Sequence, residues 1–157
     1  MRAFLFSALL LAACASPAPP VEPTPAPTPP PVYTVRTELG RAIHADMARL
    51  DRELSAPGIY ATEIGATANL GGSLTVRPLA IIEDSRCPQN VQCLWAGRMR
   101  LRANVSGREA ELVLGETLET PNGAVAFEIA SPGPWSEWPA DELGPRPAYR
   151  FGFRRAN

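Results

Sequence analysis

Residues 98–114 read RMRLRANVSGREAELVL, and their spacing decides the fold class. Met99, Leu101, Ala103 and Val105 alternate with Arg98, Arg100, Arg102 and Asn104. Successive side chains on a strand point to opposite faces, so the first set belongs to a core and the second to water. After Ser106-Gly107 the alternation resumes with Ala110, Leu112 and Leu114. A tight turn centred on Ser106-Gly107 pairs Val105 with Arg108. The same register sets Ala103 opposite Ala110, Leu101 opposite Leu112 and Met99 opposite Leu114. On the other face it sets Arg102 opposite Glu111. A slip of one residue would break every pair.

The period of two extends outward from this hairpin. Upstream, SLTVRPLAIIE (73–83) places Leu74, Val76, Ala80 and Ile82 on one face. Pro78 has no N–H for a ladder, so this strand is an edge strand or carries a bulge. Downstream, Val125, Phe127 and Ile129 share a face after the Pro121-Asn122-Gly123 turn signal, and Tyr149, Phe151 and Phe153 alternate near the end. With a short strand around residues 59–68, six or seven short strands are expected. The fold class is mainly β, a small antiparallel sandwich or barrel. One core suffices for a β domain over residues 57–157.

Ahead of it, residues 37–56 change period. Leu39, Ile43, Met47, Leu50 and Leu54 fall on one face of a helix, and Pro57-Gly58 ends it. The charged residues, Asp46 among them, are expected mostly on the other faces. His44, the single histidine, sits beside the stripe and reads as a surface residue.

The chain begins MRAFLFSALLLAACAS. Arg2 precedes an apolar run from Ala3 to Ala13, a length suited to a signal peptide (1–13) and too short for a membrane span. Ala12-Ala13-Cys14 resembles the lipobox of bacterial lipoproteins. That resemblance implies cleavage before Cys14 and its acylation, with Ala15 after it suggesting the outer membrane, facing the periplasm. The competing reading is an ordinary secretory signal cut near Ala15. Nine of the sixteen residues in SPAPPVEPTPAPTPPP (16–31) are proline, which excludes helix and sheet. The lipidated N-terminus and this disordered Pro-rich linker (14–36) read as an extended tether of about 50 Å. A PxxP ligand is the alternative.

Fifteen basic and sixteen acidic residues give a formal charge of −1, and every basic residue is arginine. No basic stripe marks a nucleic-acid footprint, so no nucleic-acid partner is expected.

Residues 84–97 read DSRCPQNVQCLWAG. With Cys14 taken by lipid, Cys87 and Cys93 remain, an even number in an exported chain. A structural disulfide across C-x5-C would contribute about 2–3 kcal/mol. A redox pair is the alternative, but thioredoxin-type sites use C-x-x-C at a helix start. A zinc site would need more ligands than these and distant His44, so no metal or cofactor is expected.

The run Asp84-Ser85-Arg86-Cys87-Pro88, then Val91, Cys93 and Trp95-Ala96-Gly97, resembles a motif in bacterial secreted proteins and lipoproteins with small β-rich domains. No established activity comes with that family. The resemblance supports the disulfide and an envelope location. Asp84 suits a turn, Arg86 a pair with Asp84 or loop carbonyls, and Trp95 a cover over the disulfide that enters the core. The functional alternative makes Asp84, Arg86 and Trp95 a binding rim.

A second candidate loop is SPGPWSEWPADELGPRP (131–147). Trp135 and Trp138 either fold back over an open end of the core or stand out for a sugar or a protein. No G-x-S-x-G, H-E-x-x-H or P-loop occurs in the sequence. The sequence thus reads as a non-enzymatic envelope lipoprotein, held to the membrane by its N-terminal lipid and binding an envelope protein or glycan. An envelope enzyme or thiol–disulfide redox factor is the alternative.

Overall fold

The computed structural model describes residues 31–156. The expected signal peptide, Cys14 and most of the expected tether lie outside the described residues.

The first element is a helix, α1 (Glu38–Leu54), followed by β1 (Ile59–Glu63), β2 (Ala68–Asn69), β3 (Thr75–Asp84), β4 (Met99–Val105), β5 (Arg108–Val113), β6 (Thr117–Leu118) and β7 (Ala124–Ser131). A one-turn helix, α2 (Ala140–Leu143), and β8 (Arg150–Ala156) complete the chain. Two antiparallel four-stranded sheets form, in the orders β1-β8-β7-β6 and β2-β3-β4-β5. Neither closes on itself, so the architecture is an open sandwich rather than a barrel. The count of eight exceeds the expected six or seven. The stretch 59–68 splits into β1 and β2 at Gly65 (φ 82°), and two-residue β6 carries no legible alternation.

The hairpin has the expected register: Val105 faces Arg108, Ala103 faces Ala110, Leu101 faces Leu112 and Arg102 faces Glu111. Leu114 N–H donates to Met99 O at 3.0 Å, which extends the pairing. Ser106 (φ 49°) and Gly107 (φ 89°) are both left-handed, as a two-residue turn between twisted strands requires. The ion pairing to Glu111 on the outer face is diagonal. Arg100, not Arg102, binds Glu111, and it also reaches Glu83 at 3.1 Å. Long side chains reach diagonal neighbours across the ladder.

The core lies between the sheets. Leu74, Val76, Met99, Leu101 and Ala103 of one sheet side meet Val125, Phe127, Phe151 and Phe153 of the other. Phe127 packs at 5.2 Å from Phe153 and 6.0 Å from Phe151, ring centre to ring centre.

Three register slips correct the expected faces. Between Pro78 and Ala80, and again between Ile81 and Glu83, β3 slips against β4. Ile81 therefore packs on the core while Ile82 is exposed. Pro78 is buried at the first slip. In β7 the slip falls between Phe127 and Ile129. Ala130 then takes the core side, and Ile129 turns outward to Leu50, Leu54 and Ile59. An extra residue reverses every later side chain on a strand. The outward turn of Ile129 gives the stripe of α1 its surface, so α1 forms a third layer over the β7–β8–β1 side. Gly152 completes that surface, since a Cβ there would meet both Ile129 and Ile59 at 3.0 Å.

Candidate functional site

One end of the sandwich gathers most of the residues singled out in the sequence. β3 leaves the core there and β4 returns. The 85–98 segment between them is a braced loop. Its neck continues the ladder through Ser85 N–H to Arg98 O and Cys87 N–H to Ala96 O, each 2.9 Å. Gly97 (φ 65°) closes the neck, and a Cβ there would collide with the Ser85 carbonyl. Above the neck, Cys87 and Cys93 form a disulfide with Cα atoms 6.0 Å apart.

Asp84 and Arg86 come together as the structural reading of the turn expects. Arg86 Nε donates to Asp84 Oδ1 at 2.7 Å, and Nη2 donates to Oδ2 at 2.8 Å. Tyr149 O–H donates to the same Oδ2 at 2.7 Å. The guanidinium also donates to the Ala130 and Pro132 carbonyls at 3.3 and 3.4 Å, beside the cis Ser131–Pro132 bond. This cluster ties β3 to the end of β7 and the start of β8. Burial pushes the Asp84 carboxyl up, but the Arg86 and Tyr149 hydrogen bonds outweigh it and hold it below the usual range. Tyr149 shifts upward, through burial first and the Asp84 acceptor second.

These shifts set a pH dependence. A carboxyl depressed on folding stabilises fully above its unfolded pKa, about 3.9, and the contribution is lost as pH falls through the folded value. A tyrosine raised on folding contributes fully below about pH 10, and this is lost as pH rises through its folded value. Asp84→Asn is therefore expected to cost about 1–2 kcal/mol at neutral pH, and to flatten the decline in stability below about pH 4. Urea melts at pH 7 and pH 3 check this; an unchanged acid limb would remove Asp84 from the account.

The two tryptophans of the 131–147 loop are half-buried, and neither belongs to the β core. Trp135 Nε1–H donates to Asp46 Oδ2 at 3.1 Å, and Trp138 Nε1–H donates to Gly144 O at 2.8 Å. Arg146 lies over the Trp138 ring, 5.7 Å from its centre. Trp95 contradicts its expected place. It is 74 % exposed, neighbouring Leu94 is 95 % exposed, and neither enters the core. The reason is local. Cys87 and Cys93 close a loop whose residues 91–98 are all exposed, and that loop carries Leu94 and Trp95 away from the core.

Two acidic residues at this end escaped the sequence reading. Asp46 is buried rather than solvent-facing. Its Oδ1 accepts from Arg49 at 2.6 Å, and its Oδ2 accepts from Gln89 at 2.9 Å as well as from Trp135. It joins α1, the disulfide loop and the tryptophan loop at one point. Gly133 permits this, since a Cβ there would strike the carboxylate. The signal was present, because Asp46 lies three residues after Ile43 and four before Leu50, on the buried stripe. Glu142, also buried, accepts from the Arg36 and Thr37 amides at 2.9 and 3.0 Å. Those backbone hydrogen bonds hold its carboxyl below the usual range. Thr37 Oγ1 accepts from Gly40 N–H, so Thr37 and Glu142 together cap α1. No local pattern announces a cap supplied from 105 residues away.

A concavity of about 240 Å³ lies over Asp84, Arg86, Trp135, Arg146 and Tyr149. Another, about 380 Å³, lies at the opposite end between the Ser106-Gly107 turn and residues 118–122. His44 is exposed and borders a groove with Met47, Trp138 and Leu143. Among the described residues, no group of three or more His, Cys, Asp or Glu could hold a metal ion, and no helix is long and apolar enough to cross a membrane. No protein-family model, curated protein or solved structure matches the chain.

Proposed function

We propose that the chain is a non-enzymatic lipoprotein of the bacterial envelope that acts by docking. Cys14 carries the lipid, the proline-rich segment is the tether, and the β domain presents the disulfide loop to a partner in the periplasm, at the outer membrane. The observation that carries this reading is how polar and apolar groups divide at the loop end. Asp84, Arg86, Trp135 and Trp138 spend their hydrogen bonds inside the domain, on one another, on Tyr149 and Asp46, or on the backbone. Leu94 and Trp95 are held outward on a disulfide-braced loop. A catalytic site needs polar groups free to meet a substrate, whereas a docking surface needs an exposed apolar anchor with rigid support. A glycan suits this surface less than an apolar partner does, because sugar hydroxyls ask for unspent polar groups.

The anchor is tested by mass spectrometry of the N-terminal peptide from the full chain made in a bacterium. A Cys14 N-terminus carrying acyl mass is expected, with the chain in the membrane fraction and the Cys14→Ser variant released from it. An N-terminus at Ala15 or Ser16 without acyl mass would overturn the lipoprotein reading.

A further inference from the structure

We infer that the tip of the disulfide loop seats on a phospholipid surface, an inference that rests on the lipoprotein reading and names the partner of the same loop. The loop has two unlike flanks. On one, Gln89 N–H donates to Pro134 O, Gln89 Nε2 to Asp46, and Asn90 exchanges hydrogen bonds with Ser136 at 2.7 and 3.2 Å. That flank is pinned to the domain. On the other, Leu94, Trp95 and half-exposed Val91 face water. The disulfide and the two neck hydrogen bonds keep them there, so the exposure is built into the loop and is not slack.

The place where the chain enters the domain favours a lipid partner. Tyr33 packs on Gly144, and the Arg36 and Thr37 amides bond Glu142. The chain thus joins the domain on the 131–147 loop, the same loop that grips Gln89 and Asn90. Val32, the first residue of the domain, is 93 % exposed. Seventeen residues separate it from Cys14, a reach of about 50 Å when extended. A lipid at Cys14 would keep the membrane within that distance of Val32, where the chain enters the domain beside the loop that carries Leu94 and Trp95. Tryptophan favours the boundary between headgroup and acyl chain, and leucine the apolar side of it. Among the described residues, Arg41 and Arg146 at this end bond only backbone carbonyls, which leaves their charge available to anionic headgroups.

The test uses the full chain as a bacterium processes it, placed on vesicles of phosphatidylethanolamine and phosphatidylglycerol with or without bromine on the acyl chains. Bromine quenches tryptophan only on contact. With three tryptophans in the chain, quenching is expected to remove about one third of the emission, the share of an interfacial Trp95. Trp95→Phe should abolish the loss, and Trp135→Phe should leave it in place. Should Cys14 carry acyl mass while Trp95 stays unquenched and open to iodide, the inference is overturned with the anchor intact, and the loop faces a protein. Should Cys14 carry no acyl mass, the same chain is added to the vesicles from solution. Quenching that depends on Trp95 would then support the lipid contact without the anchor, and its absence would overturn it.

Discussion

Replacing Asp46 with alanine is expected to remove about 3 kcal/mol of stability, because a buried carboxylate that satisfies three donors is lost at once. Arg49 is half exposed and also pairs with Glu53, so water and that partner absorb its loss. Gln89 and Trp135 lose the one carboxylate oxygen that they share, on a side chain that is 5 % exposed. Asp46→Asn keeps one acceptor but turns an NH2 group toward a donor, and a smaller cost of about 1–2 kcal/mol is expected. Urea melts followed by tryptophan emission measure both. The melt should also show what Asp46 joins: with alanine there, the Trp135 environment should loosen before the β core unfolds. A loss below about 1 kcal/mol in Asp46→Ala would show that the three elements are held by packing and not through this carboxylate.

Removing the disulfide comes next in size. For a loop as short as Cys87–Cys93, the chain-entropy model gives about 2 kcal/mol. The Cys87→Ser, Cys93→Ser double variant is expected to lose about that amount and still unfold in one transition. The bridge lies outside the sandwich and touches none of the Phe127, Phe151 and Phe153 packing. Its larger consequence is for the loop tip. The neck hydrogen bonds survive, but the turn that presents Leu94 and Trp95 is free to fold back. Contact through Trp95 should therefore fall further than stability does. A double variant that keeps its Trp95 contact at full strength would show that the neck alone presents the tip.

Alternation and turn chemistry are local, which is why the β4–β5 hairpin was legible down to its register. Each residue from Met99 to Leu112 states its own face, and Ser106-Gly107 sets the count between the arms. The stripe of α1 was legible for the same reason. The β3 and β7 bulges were not, because an extra residue leaves no mark on the sequence except through Pro78. Ile82 and Ile129 were accordingly assigned to the wrong faces. Trp95, expected as a cover over the disulfide, stands in the open because the braced loop carries it away from the core.

At the candidate site the sequence by itself determined the cysteine pairing, the Asp84–Arg86 turn and the β class. Each follows from residues a few positions apart, whose geometry the chain can hardly avoid. Tertiary structure decided the rest. It placed Asp46 between Gln89 and Trp135, Glu142 beneath the start of α1, and Leu94 with Trp95 in the open. Those outcomes depend on residues from 43 to 106 positions apart meeting in one place. Which of them meet is set by how two sheets and a helix share a limited volume, a property of the packed whole that no local spacing encodes.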